Sequence, residues 1–285
     1  MTTNIALPQP GEVPTGRRRR AQDYLQHHRG ARIVAQLALF LVFLAIYSML
    51  IAFSPSLGRF MPTVPALLVD GFGTILVDPG LWEGVGMTLY ATVLGLAISL
   101  VLGSVVGVLL SIHRNAYLSA QFVIDFMRTI PPLALIPVGL LLLGPTLRME
   151  VTLIVVTAVW PVLLQVHFGV VNIDPKLLET ARSFRIPLWR RMLFIMAPAV
   201  GPSFGTALRL SATLCLLLAV GTELIAGGSG LGYLVGWYQQ AFRIPETYAT
   251  IIIVGLLGVA LNSFIMFGER RLLGWHRRET KAARS

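Results

Sequence analysis

The stretch "NIDPKLLETARSFRIPLWRRMLFIMAP", residues 172–198, separates two long apolar runs and carries five basic side chains, Lys176, Arg182, Arg185, Arg190 and Arg191. Asp174 followed by Pro175 is a helix-start signal: an aspartate oxygen accepts a free N–H, and proline lacks a donor that the first turn does not use. Leu177, Leu178, Ala181 and Phe184 then form an apolar strip, with Lys176, Arg182 and Arg185 on the remaining surface. Pro187 interrupts the pattern, and "LWRRMLFIM" begins a second helical segment that reaches Pro198. The stretch predicts two short helices joined by a turn. The strip suits either an anchor lying on a membrane surface or a docking face for another protein, and docking also gives Glu179 a role.

On both sides the composition is that of a membrane protein. Of 285 residues, 55% are hydrophobic and 13% charged, outside the balance of a soluble domain. Runs 33–52, 84–113, 129–147, 151–173 and 247–268 contain no Asp, Glu, Lys or Arg. Each is long enough, at about 1.5 Å per residue, to cross about 30 Å of hydrocarbon. A sixth run, 203–226, has Arg209 and Glu223 toward its ends. The expectation is an all-α polytopic membrane protein with six transmembrane helices.

The formal charge of +10 is distributed to match. Eighteen Lys and Arg fall on the side of the termini and the quoted stretch, against Arg59, Arg148 and Arg243 in the opposite links. The positive-inside rule then places both termini in the cytoplasm: a segment 1–32, a transmembrane domain 33–268 and a tail 269–285. "RRRR" at 17–20 reads as a topology anchor beside anionic lipid and not as a nucleic-acid patch, and the first apolar run as a retained helix. A single Cys215 excludes an internal disulfide framework, and no metal-ligand spacing occurs. Neither lysine, Lys176 or Lys281, follows a glycine, so no Walker-type ATP site is predicted. No catalytic constellation appears either, which argues against an enzyme.

Within the second run, Gly95, Ser99, Gly103 and Gly107 recur every fourth residue after Ala91, a stripe that lets another helix approach closely. The third run is broken by Pro131, Pro132 and Pro137, and Asp125 and Arg128 just before it share a face. "VPALLVDGF" predicts a short helix in the long outer connection with Pro65 in its first turn, and four glycines within 227–232 predict a turn or a close backbone approach. Ser211 and Cys215 share one face of the fifth run while Thr213 points elsewhere. Arg209 and Glu223 lie about 21 Å apart along that helix, so each needs a partner on another element or an interface.

"ETARSF" followed by "IMAPAV" resembles the EAA loop of binding-protein-dependent ABC importer permeases, with Thr180 in place of the first Ala of the motif and Arg185 where that family usually has Gly. "MRTIPPLALIPVGLLLLGPT", "NIDPKLLETARSF" and "GTELIAGGSGLGYLV" occur in the same order as similar segments of its nitrate, sulfonate and taurine branch. The resemblance implies the type I ABC importer permease fold in a bacterial inner membrane. It also implies a homodimer or related permease pair, two cytoplasmic ABC ATPase subunits that bind ATP and Mg, and an external solute-binding protein. No cofactor or metal belongs to the chain itself, and no nucleic acid is a partner. The helix within 174–198 becomes a coupling helix, with Leu178, Glu179, Thr180, Ala181, Phe184, Arg185 and Pro198 as coupling residues. The fifth helices of the pair become the main lining of the passage, which makes Ser211, Thr213 and Glu223 candidates together with Met127, Pro131 and Pro132. The solute implied is a small organic or inorganic anion. A stand-alone secondary carrier is the alternative, but it calls for repeated broken helices near the midplane and only the third run is visibly broken.

Overall fold

A computed structural model describes residues 29–54, 57–112 and 114–272. The arginines at 17–20 and the tail beyond residue 272 lie outside them. Five helices are long and apolar enough to cross a membrane among the described residues, and a bent pair brings the number to six if it counts as one span.

The chain divides into an N-terminal unit ending at Val64 and a larger one from Pro65 onward. The first contains α1 (Arg29–Phe53) and a 3-10 turn, Leu57–Arg59. In it the Tyr47 hydroxyl donates to the Pro62 carbonyl at 2.7 Å. Next come α2 (Val64–Ile75), α3 (Pro79–Ile112), α4 (Arg114–Thr129), α5 (Ile136–Leu143) and α6 (Leu147–Val171). They are followed by α7 (Pro175–Ser183), α8 (Leu188–Ala226), α9 (Leu231–Gln240) and α10 (Ile244–Leu272).

The larger unit is organised by the small-residue stripe of α3 against α6. A side chain at Gly95 would overlap Ile154, and a Cβ at Gly103 would stand 2.7 Å from the Val162 Cβ and 2.8 Å from the Val159 carbonyl oxygen. At Gly107 it would lie 2.7 Å from the Leu163 carbonyl oxygen. Ser99, fully buried, returns its hydroxyl to the Gly95 carbonyl at 2.7 Å and so needs no partner across the seam. The stripe expected from the sequence is therefore a packing seam. Helix α8 closes the core over it through Ala212, Cys215, Leu218 and Ala219, which meet Ala91, Leu96, Ile154 and Ala158. At the outer end a second cluster joins Ile75, Leu81, Leu231, Tyr238 and Ala249. There α2 reaches α10 so closely that a Cβ on Gly71 would sit 2.7 Å from the Pro245 carbonyl oxygen.

One expectation holds and one changes. The third run is broken at its prolines, as expected: segments Asn115–Thr129 and Pro132–Leu143 meet at 83°. Pro131 is extended, a 3-10 turn occupies Pro132–Leu135, and α5 then runs for 8 residues before Gly144 turns the chain at φ 66°. That length covers only about 12 Å. Secondly, "LWRRMLFIM" is not a separate cytoplasmic helix. It continues through a π turn, Met192–Met196, into the long helix, giving 39 residues from Leu188 to Ala226. Pro198 has no N–H for the carbonyl four residues earlier, and the wider turn absorbs the lost bond where a break was expected.

Replacing Gly103 with Leu should lower the stability of the detergent-solubilised protein by about 1–3 kcal/mol, because the added atoms meet backbone as well as side chain. Gly86 has open space around it, so Gly86→Ala serves as the control. A thermal unfolding midpoint unchanged by Gly103→Leu contradicts the seam.

Candidate functional site

The loop between α6 and α8 is built by local hydrogen bonds. The Asp174 carboxylate accepts the Lys176 N–H at 2.9 Å, with Pro175 in the first turn. Thr180 and Ser183 return their hydroxyls to the carbonyls of Lys176 and Glu179. At the far end the Ile186 N–H donates to the Ala181 carbonyl at 3.1 Å, and Arg185 adopts φ 49°. This is the six-to-one closure that normally places glycine in the left-handed position. Arg185 thus takes the turn that its residue type disfavours, and the departure noted in the sequence costs conformational energy.

The helix shows two faces. Ala181 is buried and Leu178 half-buried, while Leu177 and Glu179 are exposed and Phe184 is 77% exposed. Leu178 and Phe184, expected on one strip, therefore separate into an inward anchor and an outward apolar contact. Leu188 and the 60% exposed Trp189 follow Phe184, with the Arg190 guanidinium 5.0 Å from the Trp189 ring centre. Arg191 donates from Nη2 to the Ile186 carbonyl at 3.4 Å, tying the start of α8 to the turn. Pro198 lies where the π turn opens into the long helix.

Helix α8 also separates the candidates placed on it. Ser211 and Cys215 are fully buried, and the Ser211 hydroxyl makes a long bond of 3.5 Å to the Ala158 carbonyl of α6. Thr213 is exposed and donates to the Arg209 carbonyl at 3.1 Å. With Leu210 and Leu217 it forms a ridge that no other described helix covers. A groove flanks each side of the ridge. One, of about 460 Å³, is lined by Met127, Pro132, Trp160 and Leu214. The other, of about 560 Å³, is lined by Arg209, Thr213, Gly255 and Asn262. Met127 and Pro132 thus share one groove while Thr213 lines the other, with Pro131 setting the bend beside the first. Arg209 pairs with Glu269 of α10, Nε to Oε2 3.3 Å.

Glu223, only 2% exposed, lies elsewhere. Its carboxylate accepts the Thr88 hydroxyl at 2.8 and 2.9 Å and the Gly232 N–H at 2.8 Å, while Thr88 Oγ1 accepts the Leu231 N–H at 2.9 Å. Two free donors at the start of α9 are satisfied in this way. Gly230, at φ 111°, and Gly232 let the loop close on the carboxylate, since a side chain on either would collide with Glu223 or the Val220 carbonyl. A cavity of about 80 Å³ beside it is also lined by Glu150 and Thr222. Thr88 was not among the residues singled out from sequence. Its signal was present: it continues the stripe of α3 outward, with Gly84, Thr88, Ala91, Thr92 and Gly95 all buried. Nearby, Tyr238 donates to Asp78 at 3.3 Å, and burial followed by the Asp78 charge pushes its phenol pKa up. Among the described residues no group of three or more His, Cys, Asp or Glu is placed to hold a metal ion.

Residues 99–273 match the family described as binding-protein-dependent transport system inner membrane component. Over 234 residues the chain is 28% identical to a Bacillus subtilis (strain 168) protein that carries the name aliphatic sulfonates transport permease protein SsuC, covering 82% of this chain and 84% of that one. It is 27% identical over 211 residues to the nitrate import permease protein NrtB of Leptolyngbya laminosa, covering 73% and 75%. The fold is similar to a chain in the crystal structure of an amino acid ABC transporter, with TM-score 0.59, 22% identity, and coverage of 71% and 99%. Importers of this kind combine a permease pair with an ATPase and a binding protein. With the match extending from the α3 seam to the end of α10, the chain belongs to the binding-protein-dependent inner membrane components: it is a multi-pass inner-membrane permease subunit of an ABC importer, and not itself an enzyme.

Proposed function

We propose that the chain forms one half of a permease pair, of two identical or two related subunits, that passes a small anion of the sulfonate or nitrate type into the cytoplasm. An external solute-binding protein delivers the solute. Two cytoplasmic ATPase subunits bind ATP and Mg and supply the energy. Both ends of the chain, 1–32 and 269–285, lie on the ATPase side. The names of the relatives support the solute class.

The observation that carries the coupling part of this reading is the outward face of the loop. Phe184, Leu188 and Trp189 are exposed together next to arginines. Large apolar side chains gain roughly 25 cal/mol per Å² when removed from water, which favours a partner cleft. Glu179 and Thr180 flank the contact, Leu178 and Ala181 anchor it, Arg185 holds its turn, and Pro198 marks where it joins the long helix. On the membrane side the passage runs along the Leu210, Thr213 and Leu217 ridge, with Met127 and Pro132 in the adjoining groove. Ser211 and Glu223 hold the wall and do not line it.

Isolation of the intact complex should yield two copies of this chain, or one copy and a related permease, with two ATPase chains. In proteoliposomes loaded with ATP and supplied with the binding protein, uptake of a labelled alkanesulfonate or nitrate should require ATP. Uptake that proceeds equally without ATP overturns the reading.

Phe184→Asp should leave membrane insertion intact and weaken ATPase binding about tenfold or more, as loss of a central aromatic contact does. An unchanged dissociation constant in a quantitative pull-down rejects the contact. Arg185→Gly should preserve ATPase binding and stabilise the loop by up to about 1 kcal/mol, whereas Arg185→Val should destabilise it, because a β-branched residue tolerates positive φ least. Equal unfolding midpoints for the two variants contradict the strained turn.

A further inference from the structure

The groove between α8 and α10 joins a guanidinium and a carboxamide at one lining. Two side-chain groups with N–H donors open into it. Arg209 is 41% exposed and, among the described residues, has Glu269 as its one side-chain partner. The exposed Asn262 carboxamide has no intramolecular partner among the described residues. The hydroxyls beside them are already committed, Thr206 to the Pro202 carbonyl at 3.1 Å and Thr213 to that of Arg209. Space is kept open by Gly255, around which nothing lies within 4 Å. Gly205 makes room for Glu269, whose Oε1 would lie 3.0 Å from an added Cβ.

Arg209 stands seventeen residues before Ala226, about 26 Å along α8, near the inner limit of a hydrocarbon layer about 30 Å thick. A guanidinium offers a planar fork of donors that matches an oxyanion, and an arginine at membrane depth is kept where it has a counter-ion or a ligand. The carboxylate of Glu269 supplies the first and sets a limit on the second. An arriving anion must compete with it, so it is held weakly and leaves readily, as a permeating ion must.

We infer that Arg209, assisted by Asn262 and opposed by Glu269, is the anion-coordinating group at the inner mouth of this groove. The inference rests on the anion reading above. Its ligand chemistry is a small oxyanion, which a free solute or a lipid headgroup could present, and the proposal is the transported solute.

The test uses the whole complex, with ATPase and binding protein, in vesicles of phosphatidylcholine and, separately, of phosphatidylcholine with phosphatidylglycerol. The probe is the labelled alkanesulfonate or nitrate that the wild type imports. Arg209→Gln should lower ATP-driven uptake about tenfold or more in both vesicles, while ATP hydrolysis stimulated by the binding protein stays within about twofold. Glu269→Gln breaks the same ion pair but keeps the cation, and should hold uptake within about threefold of wild type. The double variant should stay as low as Arg209→Gln. Unchanged uptake by Arg209→Gln, restoration in the double variant, or a loss in Glu269→Gln as large as that in Arg209→Gln overturns the inference and leaves the importer reading intact. A defect seen only with phosphatidylglycerol assigns the arginine to a headgroup and overturns it also. A wild-type complex that imports only a neutral or cationic solute overturns the anion reading itself, before any variant is compared.

Discussion

At Gly103 the backbone of α6 comes within 2.8 Å of where a side chain would begin, and the same near-contact recurs one turn on at Gly107. In a bilayer, lipid tails are as apolar as leucine, so helices gain little from hiding apolar surface and much from close contact. A row of small residues gives that contact along most of α3, and α6 is thereby fixed in both distance and rotation. Once α6 is placed, Ala158 comes to Ser211, and Ile154, seated against Gly95, also joins the buried face of α8. The face of α8 left uncovered, with Leu210, Thr213 and Leu217, is a consequence of that rotation.

The outer end follows from the same stripe. Because Thr88 is one of its members, it is held against α8 and can both donate to Glu223 and accept from Leu231. A buried carboxylate without partners is costly, and a hydrogen bond to a charged group contributes about 1.5–3 kcal/mol. Here the cost is offset by the Thr88 hydroxyl and the Gly232 N–H, and with the Leu231 N–H donating to Thr88 the first two donors of α9 are satisfied as well. Glu223 therefore serves as a clamp joining α3, α8 and the glycine turn.

Much of this was legible in the sequence, where a pattern repeats or where proline and glycine act locally. The four-residue spacing of Gly95, Ser99, Gly103 and Gly107 indicated the seam, Asp174 and Pro175 the start of α7, and Pro65 the short outer helix. Opposite faces for Ser211 and Thr213 followed from helical periodicity, but which face would be covered depends on α6 and could not be read from α8 alone. For Glu223 the sequence called for a partner on another element without saying which, because the partners lie 135 residues away at Thr88 and across a glycine turn at Gly232. The prolines divide: Pro131 and Pro132 break the third run as expected, by 83°, whereas Pro198 does not end its helix at all.

The misreading of Pro198 bears on how force could travel. A helix broken at Pro198 would leave the loop loosely tied to the membrane domain. The observed helix runs unbroken from Leu188, beside the exposed Phe184 and Trp189, through Arg209 to the Glu223 clamp. A continuous helix carries displacement along its length except where its hydrogen bonds are fewest, and here that region is the π turn with Pro198 and Pro202 just beyond it. The compliant segment thus lies between the loop and the packed core. A push on the loop can tilt the first turns of α8 while Ala212, Cys215 and Ala219 stay seated against α3 and α6. The groove beside Arg209 begins between those two regimes, at Thr206 and Arg209, and runs onto the seated part at Leu216, so a change in tilt alters its width at the Arg209 end most.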